Sequence, residues 1–252
     1  MTAERFLDEA RYLAEYDIHQ FALPLVTVDV VIFTLKNQRL EVLLVKRGAQ
    51  PRAGKWALPG GFIDIAADAD LEAAALRKLA EKTGVHSPYL EQLETVGNGF
   101  RDPRGWSVTV VYFALIYCDS EHLGGRNPQD DVAWTAVDQA LERELAFDHN
   151  YLLSRSLERL RNKVAYTAIP VHLLPESFTL TELKSVFEII LGRPMEKSAF
   201  RRRIREAGLL EALSGQKRGG SNRPAQLYRV KPSFDGHFFA RSLAAAPDKP
   251  ST

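Results

Sequence analysis

Lys78, Glu81 and Lys82 are spaced i, i+3 and i+4, so on a helix they share one face. Paired glycines, Gly60-Gly61, lead toward that helix and Thr83-Gly84 closes it. Glycine lets a backbone approach a phosphate closely. A Mg²⁺ ion needs oxygen ligands and is commonly shared with substrate phosphates, where it polarises the pyrophosphate and activates a water. On this face only Glu81 can coordinate, and the two ammonium groups repel a divalent cation. Lysine is nevertheless a good point-charge partner for phosphate. The expected chemistry is therefore capture of a diphosphate without cleavage, against the plainer alternative of a solvated Lys/Glu face. Arg77 on the same helix and Arg47 upstream are further ligand candidates.

The stretch GGFIDIAADADLEAAALRKLAEKTGV, residues 60–85, resembles the Nudix box of nucleoside-diphosphate hydrolases. In that family the helix ends Arg-Glu-hydrophobic-any-Glu-Glu-any-Gly. Here it reads Arg77-Lys78-Leu79-Ala80-Glu81-Lys82-Thr83-Gly84, with lysine at two of the three glutamate positions. The motif's earlier glutamate falls near Ala67 or Ala69, in a lengthened loop. The resemblance implies a kept frame and lost catalysis: no catalytic residue, no metal ligands and no required cofactor. Glu81 with Asp64 or Asp68 leaves weak metal binding open, and with it a second reading as an active ADP-ribose pyrophosphatase carrying an accessory DNA-binding domain.

Composition bounds these readings. The 252 residues are 45% hydrophobic, enough for one large or two ordinary domains. The single cysteine, Cys118, excludes an intrachain disulfide and fits a reducing, cytoplasmic compartment. No signal peptide or membrane-spanning run is expected, because the start, MTAERFLDEARYLAEYD, is polar and amphipathic. The net charge of +1 hides an asymmetry. Residues 1–150 hold 15 Lys and Arg against 23 Asp and Glu, whereas 151–231 hold 16 against 7. An acidic module joined to a basic one suggests two different partners, the basic one being a nucleic-acid candidate.

In the first module, 24–35 reads as a buried strand and 40–47 as its hairpin partner across Asn37-Gln38. Short strand and turn at 56–62, helix at 71–83, strands at 90–99 and 107–118, a short strand holding Trp134 and Val137, and a helix at 138–144 complete it. Leu71, Ala75, Leu76 and Leu79 give the 71–83 helix an apolar face. This pattern fits an α/β/α sandwich, the architecture of the Nudix fold. FRDPRGWSVTVVYFALI, residues 100–116, resembles the segment of Nudix proteins that act on ADP-ribose. Arg101, Asp102 and Arg104 lie there on a loop, where guanidinium forks suit a diphosphate or ribose hydroxyls; a simple hairpin turn is the alternative. Trp56 and Phe62 are candidates for stacking on a base or for the core. His149 is read as a linker residue, with capping of the pocket as the alternative.

The second module opens with a helical run, 151–166, whose Leu153, Leu157 and Leu160 form one stripe. It reads as a connecting helix with a possible place in a dimer interface. Pro170 and Pro175 break the chain. Thr179 and Glu182 form a capping box before a helix ended by Gly192. A helix over 196–207 is stopped by Gly208. Its Phe200, Ile204 and Ala207 point inward, and Lys197, Arg201 and Arg205 share another face with Ser198 and Arg202 beside them. A recognition helix needs that split. Lys217, Arg218 and Arg223 fall in a basic hairpin before a strand at 226–230, suited to backbone or minor-groove contacts. The expected organisation is an N-terminal helix to 20, a Nudix-like module 21–149, a winged helix 150–234 and a disordered tail 235–252.

An acidic Nudix-like module followed by a basic winged helix resembles the Nudix-related transcriptional regulators, the NrtR family. The segments FTLTELKSVFEIILGRPMEKSAFRRRIREAGLLE, 178–211, and KRGGSNRPAQLYRV, 217–230, are similar to that family's C-terminal domain. The resemblance implies a bacterial repressor of NAD-related metabolism, with some relatives serving sugar-utilisation genes. It also implies ADP-ribose or a related nucleotide as effector, a homodimer, and double-stranded operator DNA of palindromic form.

Overall fold

The computed structural model describes residues 2–85, 89–118, 132–218, 224–232 and 239, with side chains described except at 2–7 and 216–218. After an N-terminal helix α1 (Thr2–Glu15), β1 (Leu25–Lys36) runs through the middle of a mixed sheet. Its run of β-branched and aromatic residues is buried from Thr27 to Thr34, as expected of a strand covered on both faces. β2 (Arg39–Lys46) folds back antiparallel across Asn37-Gln38. Both turn residues have positive φ, 49° and 58°, which a two-residue hairpin turn requires.

Five further strands complete the sheet: β3 (Trp56–Ala57), β4 (Gly60–Phe62), β5 (Tyr89–Asn98), β6 (Ser107–Leu115) and β7 (Val132–Ala136). Among the described residues the order is β3-β2-β1-β6-β5, with β4 on β1 and β7 on β2. β1 and β6 are parallel. Side chains alternate across β1. Val28, Val30 and Ile32 meet helix α2 (Leu71–Thr83) through Ala74, Ala75 and Leu79. Val31 and Phe33 belong to the core on the opposite side, with α3 (Val137–Glu142) and α4 (His149–Val164). The sandwich is therefore as expected. Two details differ. Val137 opens α3 instead of ending β7, and on α2 Ala74 is buried while Leu71 and Leu76 are only half-buried.

α2 starts at Asp70, whose side chain accepts from the Ala73 amide at 2.8 Å, and ends at Gly84 in the left-handed region. Glu94 and Glu91 on β5 meet Arg155, Arg159 and Lys163 on α4. These cations are four residues apart, one per turn along one face. α4 thus joins the modules and is also bolted to the sheet.

Beyond a 3-10 helix (Ile169–Leu173), which absorbs Pro170 instead of breaking at it, comes the winged helix: β8 (Phe178–Thr179), α5 (Leu180–Leu191), α6 (Lys197–Ala207), β9 (Leu210–Arg218) and β10 (Ala225–Val230). The capping box is formed, with Thr179 accepting from the Glu182 amide at 3.1 Å and Glu182 from the Thr179 amide at 2.7 Å. β10 pairs antiparallel with both β9 and β8. Phe187, Phe200 and Ile204 join Leu152, Leu157 and Leu160 of α4 in one continuous core. No described helix is long and apolar enough to cross a membrane.

Candidate ligand cleft and DNA interface

β4 lies against β1 with Gly60 opposite Asp29. A Cβ on Gly60 would sit 2.2 Å from the Asp29 carboxylate and 2.6 Å from the Val28 carbonyl oxygen, so only glycine fits. Gly61, at φ +146°, continues into the mouth of a cleft lined by Thr27, Arg47, Asp102, Arg104, Phe147 and His149 as well as these residues. The Nζ of Lys78 lies 3.7 Å from where a Gly61 Cβ would stand. The cavity holds about 100 Å³. Pockets that enclose a whole ligand hold roughly 300 Å³ or more, so a nucleotide seated here would extend beyond it.

The floor of the cleft is a buried polar network. Arg101 is 5% exposed and donates from Nε and Nη2 to Asp148 at 3.0 and 3.1 Å, and from Nη2 to Asp29 at 3.3 Å. Thr109 donates to Asp29 at 2.8 Å. His149 Nδ1 accepts from the Leu58 amide at 2.8 Å, and its Nε2 lies 3.7 Å from Asp29. Burial pushes the imidazole below its ordinary pKa, so the neutral ring keeps its proton on Nε2, toward Asp29. Pairing buried charges in this way avoids the penalty of an isolated one.

The rim is more open to an anion. Arg104 grips Asp102 with both arms, at 3.0 and 2.6 Å, and lies over the half-exposed Phe62 ring at 4.9 Å. Arg47 donates to the Pro51 carbonyl at 2.9 Å and lies over Phe147 at 4.7 Å. Its pKa is lowered first by burial and then by Arg104. Two guanidiniums that repel each other across a cleft favour an anion between them.

α2 divides the remaining candidates. Lys78 approaches Glu81 at 3.5 Å. Arg77 turns away from the cleft to Asp68, at 2.7 and 2.6 Å, and to Glu81 at 2.9 Å. That partner holds the Asp68 carboxyl down at about 2. Glu81 and Lys82 are exposed on α2 and do not line the cleft. Trp56 packs against the core, with Arg143 over its ring at 5.3 Å. The linker reading of His149 is overturned, because its ring is buried in the cleft floor and bonded to Leu58.

On α6, Glu196 caps the first amides by accepting from Ser198 and Ala199 at 2.8 and 2.5 Å. Phe200 and Ile204 are buried, while Ala207 is half-buried. Lys197, Ser198, Arg201, Arg202 and Arg205 are all exposed. Arg202 comes within 3.8 Å of Glu206, and Lys197, Arg201 and Arg205 have no ion-pair partner among the described residues. A groove of about 540 Å³ runs between α6 and β10, past Thr181, Arg201, Arg205, Gln226 and Lys231. Lys217 and Arg218 lie on the β9–β10 hairpin, opposite Gln226 and Ala225. Arg223 and the expected tail 235–252 lie outside the described residues except for Phe239. That residue departs from the expected disorder: its ring is buried against Phe187 and its amide donates to the Tyr166 carbonyl at 2.7 Å.

Residues 24–155 match the NUDIX domain model, and 170–230 match the NrtR DNA-binding winged helix domain model. A protein of Acinetobacter baylyi named ADPR responsive transcriptional repressor NtrR is 49% identical over 89% of this chain and 89% of its own length. The chain belongs to the NrtR family. The crystal structure of Shewanella oneidensis NrtR with a 27mer DNA is 47% identical, with a TM-score of 0.79 over 86% of this chain and 99% of that one. The NUDIX domain of the same NrtR, crystallised with ADP ribose, is 51% identical, with a TM-score of 0.56 over 60% of this chain and 98% of that one. Within this NrtR-family chain, sequence reasoning overlooked Asp29, Thr109, Phe147 and Asp148 at the cleft. A signal existed for Asp29, a lone carboxylate in an otherwise apolar strand, which must find partners if buried.

Proposed function

We propose that this chain is a transcriptional repressor that binds operator DNA as a homodimer through α6 and the wing, and senses ADP-ribose in its Nudix cleft without hydrolysing it. The DNA-bound and ADP-ribose-bound relatives support both halves of the reading. Within the molecule, one observation carries it. α4 begins at the cleft, with Asp148 and His149 in the polar floor, and near its other end Arg161 donates to the Ile190 carbonyl of α5 at 3.1 Å. A single continuous helix, His149–Val164, therefore runs from the cleft to the winged helix.

The mechanism is linkage. ADP-ribose must bind the DNA-competent and DNA-incompetent forms with different affinity, and DNA then weakens ADP-ribose binding by the same factor. Two winged helices read half-sites about one helical turn, or a multiple of it, apart. A small displacement of α4 spoils that spacing, so effector releases the operator. The target genes are those of NAD-related metabolism, read in the cytoplasm. Lys78 and Lys82 stand where metal-binding glutamates are required, and the cleft cations hold the diphosphate in its ground state.

Calorimetric titration with ADP-ribose and Mg²⁺, followed by analysis for AMP and ribose 5-phosphate, tests the sensor. The expected result is saturable heat with intact ligand. Sustained heat with those products would contradict it.

A further inference from the structure

The residues at the start of α4 are arranged in an unusual way. Asp148 occupies the N-cap position, where a carboxylate ordinarily accepts from the first amides of its own helix. It makes no such bond. Its two oxygens instead face Nε and Nη2 of Arg101, at 3.0 and 3.1 Å. Phe147, immediately before it, is held at φ +57°, a region a bulky residue adopts only under constraint. Arg47 lies over that same ring. So the entry to α4 is tied to two cleft arginines and is denied its ordinary cap.

Arg101 offers a planar fork suited to a carboxylate or to a phosphate. It lines the cleft beside Gly60 and Arg104, yet its fork is already engaged. Asp148 has two possible sets of donors, the Arg101 fork and the amides of its own helix, and here it serves only the first. That is a two-state element of the kind a ligand can bias.

We propose that Asp148 is the competitor that ADP-ribose displaces: a diphosphate oxygen pair takes the Arg101 fork, and the freed carboxylate turns to cap α4. This rests on ADP-ribose being the effector and names the contact through which occupancy reaches α4. Downstream, the Arg161 contact to α5 carries a shift of α4 to the winged helix, while the Arg155, Arg159 and Lys163 pairs with β5 limit how far the helix moves. Asp148 is a positioning residue and touches no reacting atom.

The test is Asp148→Asn in the full chain. Asparagine caps a helix as well as aspartate does but cannot pair with Arg101 as an anion. Affinity for ADP-ribose is measured by calorimetry, and affinity for a duplex selected from a random library is measured by anisotropy. The variant is expected to bind ADP-ribose about tenfold more tightly and the duplex correspondingly more weakly, within the usual range of coupling between sites. A merely structural role would weaken both, and weakening of both, or no change in either, overturns the proposal. A second measurement needs no variant. Hydrogen exchange at residues 148–152 of the wild-type chain is expected to change on adding ADP-ribose, and an unchanged pattern also overturns it. If ADP-ribose leaves the wild-type chain's duplex affinity unaltered, the sensor reading itself fails, which is a separate outcome from a responsive wild type with an unresponsive Asp148.

Discussion

The cleft and the α6 surface both present arginines, but in opposite states. In the cleft, Arg101 and Arg104 are held by carboxylates within about 3 Å, and their forks are fixed in direction. On α6, Arg201 and Arg205 are exposed with no ion-pair partner among the described residues. A small ligand gains from groups already oriented, because little ordering is left on binding; at Arg101 that gain is offset by the displacement of Asp148. A polyanion is met differently: mobile surface cations release its counterions and adapt to its phosphates. The same residue type is thus tuned for recognition of a small anion or of a duplex by its partners alone.

The largest effect expected from breaking this contrast is on α6. Arg201→Ala/Arg205→Ala should lower operator affinity about a thousandfold if each arginine makes a bidentate base contact of about 2 kcal/mol, and each arginine that holds a phosphate instead should reduce the salt slope by about 1. Anisotropy at several salt concentrations reads both, and ADP-ribose affinity should not move. Next is the cleft floor. Asp29→Ala leaves Arg101 and Thr109 short of a partner and should cost about 3 kcal/mol of stability, measured by urea denaturation. An equally large loss on changing the exposed Glu206 to Ala would erase the distinction between the two regions. Lys78→Glu/Lys82→Glu should weaken ADP-ribose binding about tenfold without Mg²⁺, consistent with loss of a charge-assisted phosphate contact of about 1.5 kcal/mol. Mg²⁺-dependent turnover gained by the same variant would mark the site as an inherited, disarmed one. The smallest effect is on pH dependence. Burial depresses the His149 pKa in the folded chain below the ordinary 6.5, so the unfolded chain binds a proton the folded one refuses. Stability is full above pH 6.5 and declines as pH falls through the interval below it. His149→Gln should flatten that decline in thermal melts.

Much of this was legible in the residues. The buried β-branched run across 24–35, the Asn37-Gln38 turn, the Thr179 capping box and the Gly84, Gly192 and Gly208 stops all depend on local chemistry, and all are present. The outward face of α6 followed from helical spacing in the same way. The cleft floor did not. Asp29, Arg101, Thr109 and Asp148 converge from separate elements, with Arg101 and Asp29 72 residues apart. Spacing rules see neighbours on one helix face, which is why they gathered Arg77, Lys78, Glu81 and Lys82, of which Lys78 alone reaches toward Gly61. His149 was misread for the same reason. Its partner is the Leu58 amide, 91 residues away.

The most direct test of the account is an anisotropy titration of ADP-ribose into the full chain bound to a labelled operator duplex, with the nucleotide recovered and analysed at the end. Saturable release of the duplex, with ADP-ribose intact, is the predicted result. A duplex that stays bound at ADP-ribose concentrations that fill the cleft would contradict the claim that the two regions are coupled.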